Sequence, residues 1–156
     1  MKILITGANG FLGQHLTLFL AGKGYHIIAC SRGACRIPER FHFEYFPIEL
    51  TNKNTVDTLV SNISPDIIIH TAANSKPDDC HINREACLLQ NVEATKNLLQ
   101  SLKAVSATAK FIYISTDFVF SGNEKLYNEL SNDTFPVNYY GETKLLAEEE
   151  VCSLAG

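Results

Sequence analysis

The sequence lacks any apolar run approaching the ~18 residues of a membrane span, and it lacks an excess of positive charge. Its formal net charge of −4 leaves no electrostatic footprint for nucleic acid or for an anionic membrane surface. A secretory apolar region is missing at the N-terminus, where Met1 runs straight into a strand pattern. The five cysteines (Cys30, Cys35, Cys80, Cys87 and Cys152) contain no C-x-x-C pair, and their number is odd. They are therefore expected to be reduced thiols in a cytoplasmic protein, with no metal held by them. Internal repeats and low-complexity segments are also absent. What remains is 156 residues, 46% hydrophobic and 19% charged, enough for one globular domain with a real core.

The most informative stretch is Met1 to Gly13, MKILITGANGFLG. Ile3, Leu4 and Ile5 read as a strand covered on both faces. Gly7, Gly10 and Gly13 follow at G-x-x-G-x-x-G spacing, and an amphipathic stretch then runs to Lys23. Strand, glycine turn and helix in that order are the context a dinucleotide-binding turn needs. The glycines permit a tight turn, a close approach of pyrophosphate to bare backbone, and close packing of helix on strand. The pyrophosphate then meets free N–H groups at a helix N-terminus.

Further along, the pattern predicts a helix over Phe11 to Lys23 with Leu12, Leu16, Phe19 and Leu20 inward, and Gly24 as its stop. Strands are predicted at His26–Cys30, Phe43–Phe46, Asp66–His70 and Phe111–Ser115. A helix capped by Thr51 or Asn52 ends near Asn62. A polar loop over Asn74 to His81 leads into one long helix from Asn83 to Val105, its inner stripe Cys87, Asn91, Ala94, Leu98 and Leu102. Asp117 to Asn138 is a long irregular segment, and a last helix starts near Tyr139. This alternation implies an α/β, Rossmann-type, doubly wound parallel sheet of order 3-2-1-4-5, with ligands at the carboxyl ends beside strand 1.

Three polar groups fall at those carboxyl ends. After strand 2, no acid occupies Cys30 to Cys35, where Asp or Glu would bond an adenosine ribose and signal NAD. Ser31 and Arg32 could instead hold a 2′-phosphate, with Arg36 in reserve, which favours NADP while leaving NAD open. After strand 5 comes Ser115-Thr116-Asp117. The last helix opens with Tyr140-Gly141-Glu142-Thr143-Lys144, placing Tyr140 and Lys144 on one face, where a cation near the phenol eases proton exchange.

TGANGFLG, the HTAA of His70 to Ala73 and YGETK together resemble the extended short-chain dehydrogenase/reductases. STDFVF (Ser115 to Phe120) with Pro136 and Asn138 is similar to the dTDP-4-dehydrorhamnose reductase branch. The resemblance implies a reductase of a nucleotide-linked 4-keto-6-deoxy sugar, with Tyr140 as proton donor, Thr116 bonding the same carbonyl oxygen and Asp117 contacting the sugar. Lys144 would hold the nicotinamide ribose and lower the Tyr140 pKa. Gly7, Gly10, Phe11, Leu12 and Gly13 would hold the cofactor, with Glu49 and Leu50 at the adenine and Ala72, Ala73 and Asn74 along the channel. Asn91 would brace backbone. Glu49 stands where the family usually has Asp, and Phe118 where it usually has Tyr.

Family members continue into a smaller C-terminal substrate region that residues 1–156 do not contain. On this reading strand 5 is an apolar sheet edge, open to self-association. Two alternatives stand beside the reductase. One is a non-catalytic NADP-binding subunit, like the regulatory subunit of methionine adenosyltransferase. The other is a nucleotide-sugar epimerase or dehydratase.

Overall fold

The computed structural model describes residues 1–124 and 126–155. Five parallel strands form one sheet in the order β3-β2-β1-β4-β5, the order read from the alternation. They are β1 (Lys2–Thr6), β2 (His26–Ser31), β3 (Glu44–Pro47), β4 (Ile67–His70) and β5 (Lys110–Tyr113). Leu4 lies opposite Ile28 on one side and Ile68 on the other, so the three central strands share one register.

Period-two alternation sorts the central strands onto two faces. Leu4, Ile28 and Ile68 pack with Val56 and Val60 of α2 (Lys53–Ile63) and with Leu98 and Leu102 of α5 (Ala94–Val105). Ile3, Ile5, Ile27 and Ile69 face the other way, onto Leu16 and Leu20 of α1 (Phe11–Gly22). Burying each of these side chains contributes about 1.5–3 kcal/mol.

The inward face of α1 differs from the expected one. Gly13 and Thr17 are its buried residues, while Leu12 and Phe19 are 41% and 60% exposed. The cause is the close approach of helix to turn. A Cβ on Gly13 would run into the Gly7 carbonyl oxygen, so the helix rotates its smallest residue inward and carries Leu12 toward the cavity.

Three further expectations need correction. Within the predicted loop from Asn74 to His81, residues Pro77–Ile82 form a short helix, α3. Pro77 suits a helix start because its missing N–H would have had no partner there. Cys80 and Cys87, expected as free thiols, form a disulfide. α3 and α4 (Arg84–Leu88) meet at Asn83, and this corner brings the two Cα atoms to 5.1 Å. The long helix after Asn83 is also not uniform. Asn83 caps α4 by accepting from the Ala86 N–H at 3.1 Å, and a π-helical turn at Leu89–Glu93 separates α4 from α5. No helix among the described residues is long and apolar enough to cross a membrane.

Candidate functional site

The dinucleotide turn begins where β1 ends. Gly7 has φ +68°, and a Cβ there would lie 2.6 Å from the Ala72 backbone nitrogen. Only glycine fits that position. Gly10 then caps α1 in extended conformation, with no side-chain cap and no acidic residue in the first turn. The first N–H groups of a 12-residue helix are thus left for an anion, which the helix dipole favours.

These groups open onto a cavity of about 430 Å³ at the carboxyl ends of the strands. Phe11, Leu12 and Gly13 line it beside the turn, Ser31 and Arg32 close it after β2, and Ile48, Glu49 and Leu50 close it after β3. Thr71, Ala72, Ala73 and Ser75 form the wall after β4, and Tyr140 and Lys144 stand at the far end. A bare-backbone cradle, an unpaired helix N-terminus and a cationic corner at Arg32 fit a dinucleotide's phosphates.

Tyr140 and Lys144 lie on the first turns of α6 (Tyr139–Ala155). Both are buried, at 8% and 3% exposure. Lys144 Nζ donates to the Ile114 carbonyl at 2.6 Å and lies 4.0 Å from the centre of the Tyr113 ring. Burial lowers its pKa to about 8, against an opposing pull from Glu148. Tyr140 moves the other way. Burial raises its pKa, a hydrogen bond with Thr116 lowers it, and the Asp117 charge raises it. Lys144 is not among the groups that shift Tyr140, so the expected lowering by it is not seen. Tyr140 holds its proton at neutral pH.

Gly141 explains how α6 comes so close. Its Cβ would strike the Phe118 carbonyl oxygen, so the helix rests directly on the 3-10 turn Asp117–Val119. Thr116 caps that turn by accepting from the Phe118 N–H at 3.3 Å, and its hydroxyl donates to Asp117 Oδ1 at 3.2 Å. Thr116 and Asp117 sit outside the cavity lining, next to Tyr140. Asn74 is likewise turned away from the lining. Its N–H donates to Asn91 Oδ1 at 2.7 Å, and its carbonyl accepts from Asn91 Nδ2 at 3.1 Å.

Asn91 is part of a longer chain of bonds that ties the turn to α6. Its Nδ2 also donates to Thr143 Oγ1 at 2.9 Å, and Thr143 donates to the Tyr140 carbonyl at 2.8 Å. The Asn91 carbonyl accepts from Thr95 Oγ1 at 2.7 Å. With that proton spent, Thr95 accepts from His70 Nε2 at 3.0 Å, and His70 Nδ1 accepts from Thr6 Oγ1 at 2.6 Å. The π-helical turn lets Asn91 meet Asn74 and Thr143 together, as such turns often do at functional sites.

The sequence reading missed Ile48, Thr71, Ser75, Gln90, Ala94 and Ile114 in the lining. Ile48 and Thr71 adjoin predicted residues and could have been found by extending those stretches. Gln90 is aimed by the π-helical turn, which leaves no mark in the hydrophobic pattern.

A parallel sheet of this order, with a glycine cradle at one end of the cavity and a buried Tyr–Lys pair at the other, defines a Rossmann-type α/β fold with a dinucleotide cradle. The chain belongs to the RmlD substrate binding domain family, whose model matches residues 1–155. Methionine adenosyltransferase 2 subunit beta of Xenopus tropicalis is 35% identical over 150 residues, covering 96% of this chain and 42% of that protein. The dTDP-4-dehydrorhamnose reductase of Burkholderia thailandensis is 31% identical over 156 residues, covering 100% of this chain and 47% of that protein. Among solved structures, the Bacillus anthracis dTDP-4-dehydrorhamnose reductase in complex with NADP superimposes with a TM-score of 0.80 at 32% identity, covering 98% of this chain and 49% of that one. MoeE5 in complex with UDP-glucuronic acid and NAD gives 0.88 at 26% identity, covering 100% and 50%. The chain spans about half the length of the relatives it matches.

Proposed function

We propose that residues 1–156 are the cofactor-binding half of an NADP(H)-dependent reductase acting on a nucleotide-linked 4-keto-6-deoxy sugar. The observation that carries this reading is that Tyr140 and Lys144 line the same cavity as the glycine cradle and Arg32. The N–H groups at the start of α1 would hold the pyrophosphate, and Ser31 and Arg32 the 2′-phosphate. Glu49 and Leu50 would flank the adenine, Ala72 and Ala73 would shape the nicotinamide channel, and Lys144 would hold the nicotinamide ribose. The bound nicotinamide supplies the hydride for the sugar carbonyl carbon.

Tyr140 supplies the proton. Its raised pKa keeps the hydroxyl protonated, the form a proton donor needs, while making it a weaker acid than one matched to neutral pH. Thr116, whose side chain lies beside Tyr140, would share the carbonyl oxygen, and Asp117 next to it would contact the sugar. A second reading, a non-catalytic NADP-binding subunit, draws support from the 35% identity to a methionine adenosyltransferase subunit. Tyr140→Phe separates the two in the longer protein that would carry this segment. The reductase reading expects turnover of a dTDP-4-keto-6-deoxy sugar to fall by ~10²–10⁴-fold, with NADPH affinity nearly unchanged. Turnover that survives the substitution would overturn the role given to Tyr140, and no turnover in the parent would favour the subunit.

A further inference from the structure

The loop after β2 has almost no packing of its own. Residues 32 to 36 are all exposed, yet Arg32 forms one wall of the cavity. Its backbone is fixed from the other side by one residue of the glycine turn. Asn9 Nδ2 donates to the Arg32 carbonyl at 3.1 Å and to the Ala34 carbonyl at 2.9 Å. Asn9 Oδ1 accepts from the Arg36 N–H at 2.9 Å. Tyr45 of β3 completes the frame. Its hydroxyl lies 3.0 Å from Asn9 Nδ2, close enough to share one of the two amide protons, and donates to the Gly33 carbonyl at 2.9 Å. Gly33 itself has φ +71°, a conformation only a glycine holds easily at this bend.

We infer that Asn9, with Tyr45, is a positioning residue that sets dinucleotide specificity by holding the loop in the one shape that presents Arg32 to a 2′-phosphate. The inference rests on the NADP reading above and adds where the discrimination is built. An exposed arginine on a free loop gains little from an anion, because binding must order both the side chain and its backbone. Here the backbone is already ordered by bonds that do not involve the cavity.

The residue type matters. A carboxamide both donates to two carbonyls and accepts from an N–H, whereas a carboxylate at the same place would face the Arg32 and Ala34 carbonyls with no proton to offer. Burial raises the Tyr45 pKa, so its hydroxyl remains a donor to Gly33. Neither residue needs to touch the dinucleotide.

The test is a set of NADPH and NADH titrations on the parent chain, Arg32→Ala, Asn9→Ala, Tyr45→Phe and the Asn9→Ala/Arg32→Ala pair, with thermal melts alongside. One charge-assisted contact predicts that the parent prefers NADPH by about 10- to 100-fold. Arg32→Ala should remove that preference. Asn9→Ala should remove most of it while leaving NADH affinity nearly unchanged, and adding Arg32→Ala should remove only the small remainder. Tyr45→Phe should lose part of the preference, and it carries the test alone should Asn9→Ala not fold. An Asn9→Ala or Tyr45→Phe chain that keeps the full preference overturns the inference, as does one that loses both dinucleotides equally. A parent that binds both alike overturns the NADP reading instead, before any variant is compared.

Discussion

His70 ends β4 with both ring nitrogens committed, one to Thr6 and one to Thr95. It is 1% exposed, and burial, helped by the nearby Lys144 charge, lowers its pKa to about 3. A free histidine titrates near 6.5. Between those values the unfolded chain binds a proton that the folded chain refuses, so stability is lost as pH falls from 6.5 toward 3. The shift corresponds to a loss of up to about 5 kcal/mol. Chemical denaturation at a series of pH values should show this slope, and His70→Gln should flatten it relative to the parent. Identical slopes in the two proteins would show that His70 does not carry the effect. Lys144 follows the same sign at higher pH. Its folded pKa near 8 lies below the ordinary lysine value of about 10.4, so its contribution is complete only above that value and is lost as pH falls toward 8.

At the level of elements, the site depends on two close approaches of backbone to helix. One is Gly13 of α1 against Gly7, and the other is Gly141 of α6 against Phe118. A methyl group at Gly141 meets a backbone carbonyl that cannot step aside. Gly141→Ala should therefore destabilise the chain by about 1–3 kcal/mol, read from denaturant midpoints. It should also displace Tyr140 from Thr116. An unchanged midpoint would show that α6 does not rest on the 3-10 turn as described.

The strand order and the glycine turn were legible in the sequence because each rests on local pattern, a run of apolar residues or a fixed spacing. The α2 cap was legible for the same reason: Asn52 Oδ1 accepts from the Thr55 N–H at 3.3 Å. What was not legible depends on where elements meet. The Cys80–Cys87 bond needs the corner at Asn83, and the Gly13–Gly7 approach leaves Leu12 and Phe19 exposed while Leu16 and Leu20 stay on the sheet. The Asn9 frame joins residues more than 20 positions apart. The π-helical turn shifts Asn91 by one residue relative to a regular helix, and hydrophobic periodicity carries no sign of it.

The described residues place their chemistry at the carboxyl ends of the strands and leave β3 and β5 at the two sides of the sheet. Among the described residues β5 pairs only with β4. Ile112 in its middle is 45% exposed, and the charge within the strand is Lys110 at its start. Such an edge recruits another strand. Light scattering over a range of concentrations should show self-association that Ile112→Lys weakens. A mass that stays monomeric throughout would remove the edge as an interface. The account as a whole rests on a single cavity running from the glycine cradle to Tyr140 and Lys144. The most direct test is an NMR titration of the chain with NADPH, following backbone amides and the Tyr140 ring. The account predicts that Gly10 to Gly13, Ser31, Arg32, Tyr140 and Lys144 all shift, and that they share one saturation curve. No saturable shift, or shifts at the glycine turn with Tyr140 and Lys144 unmoved, would contradict it.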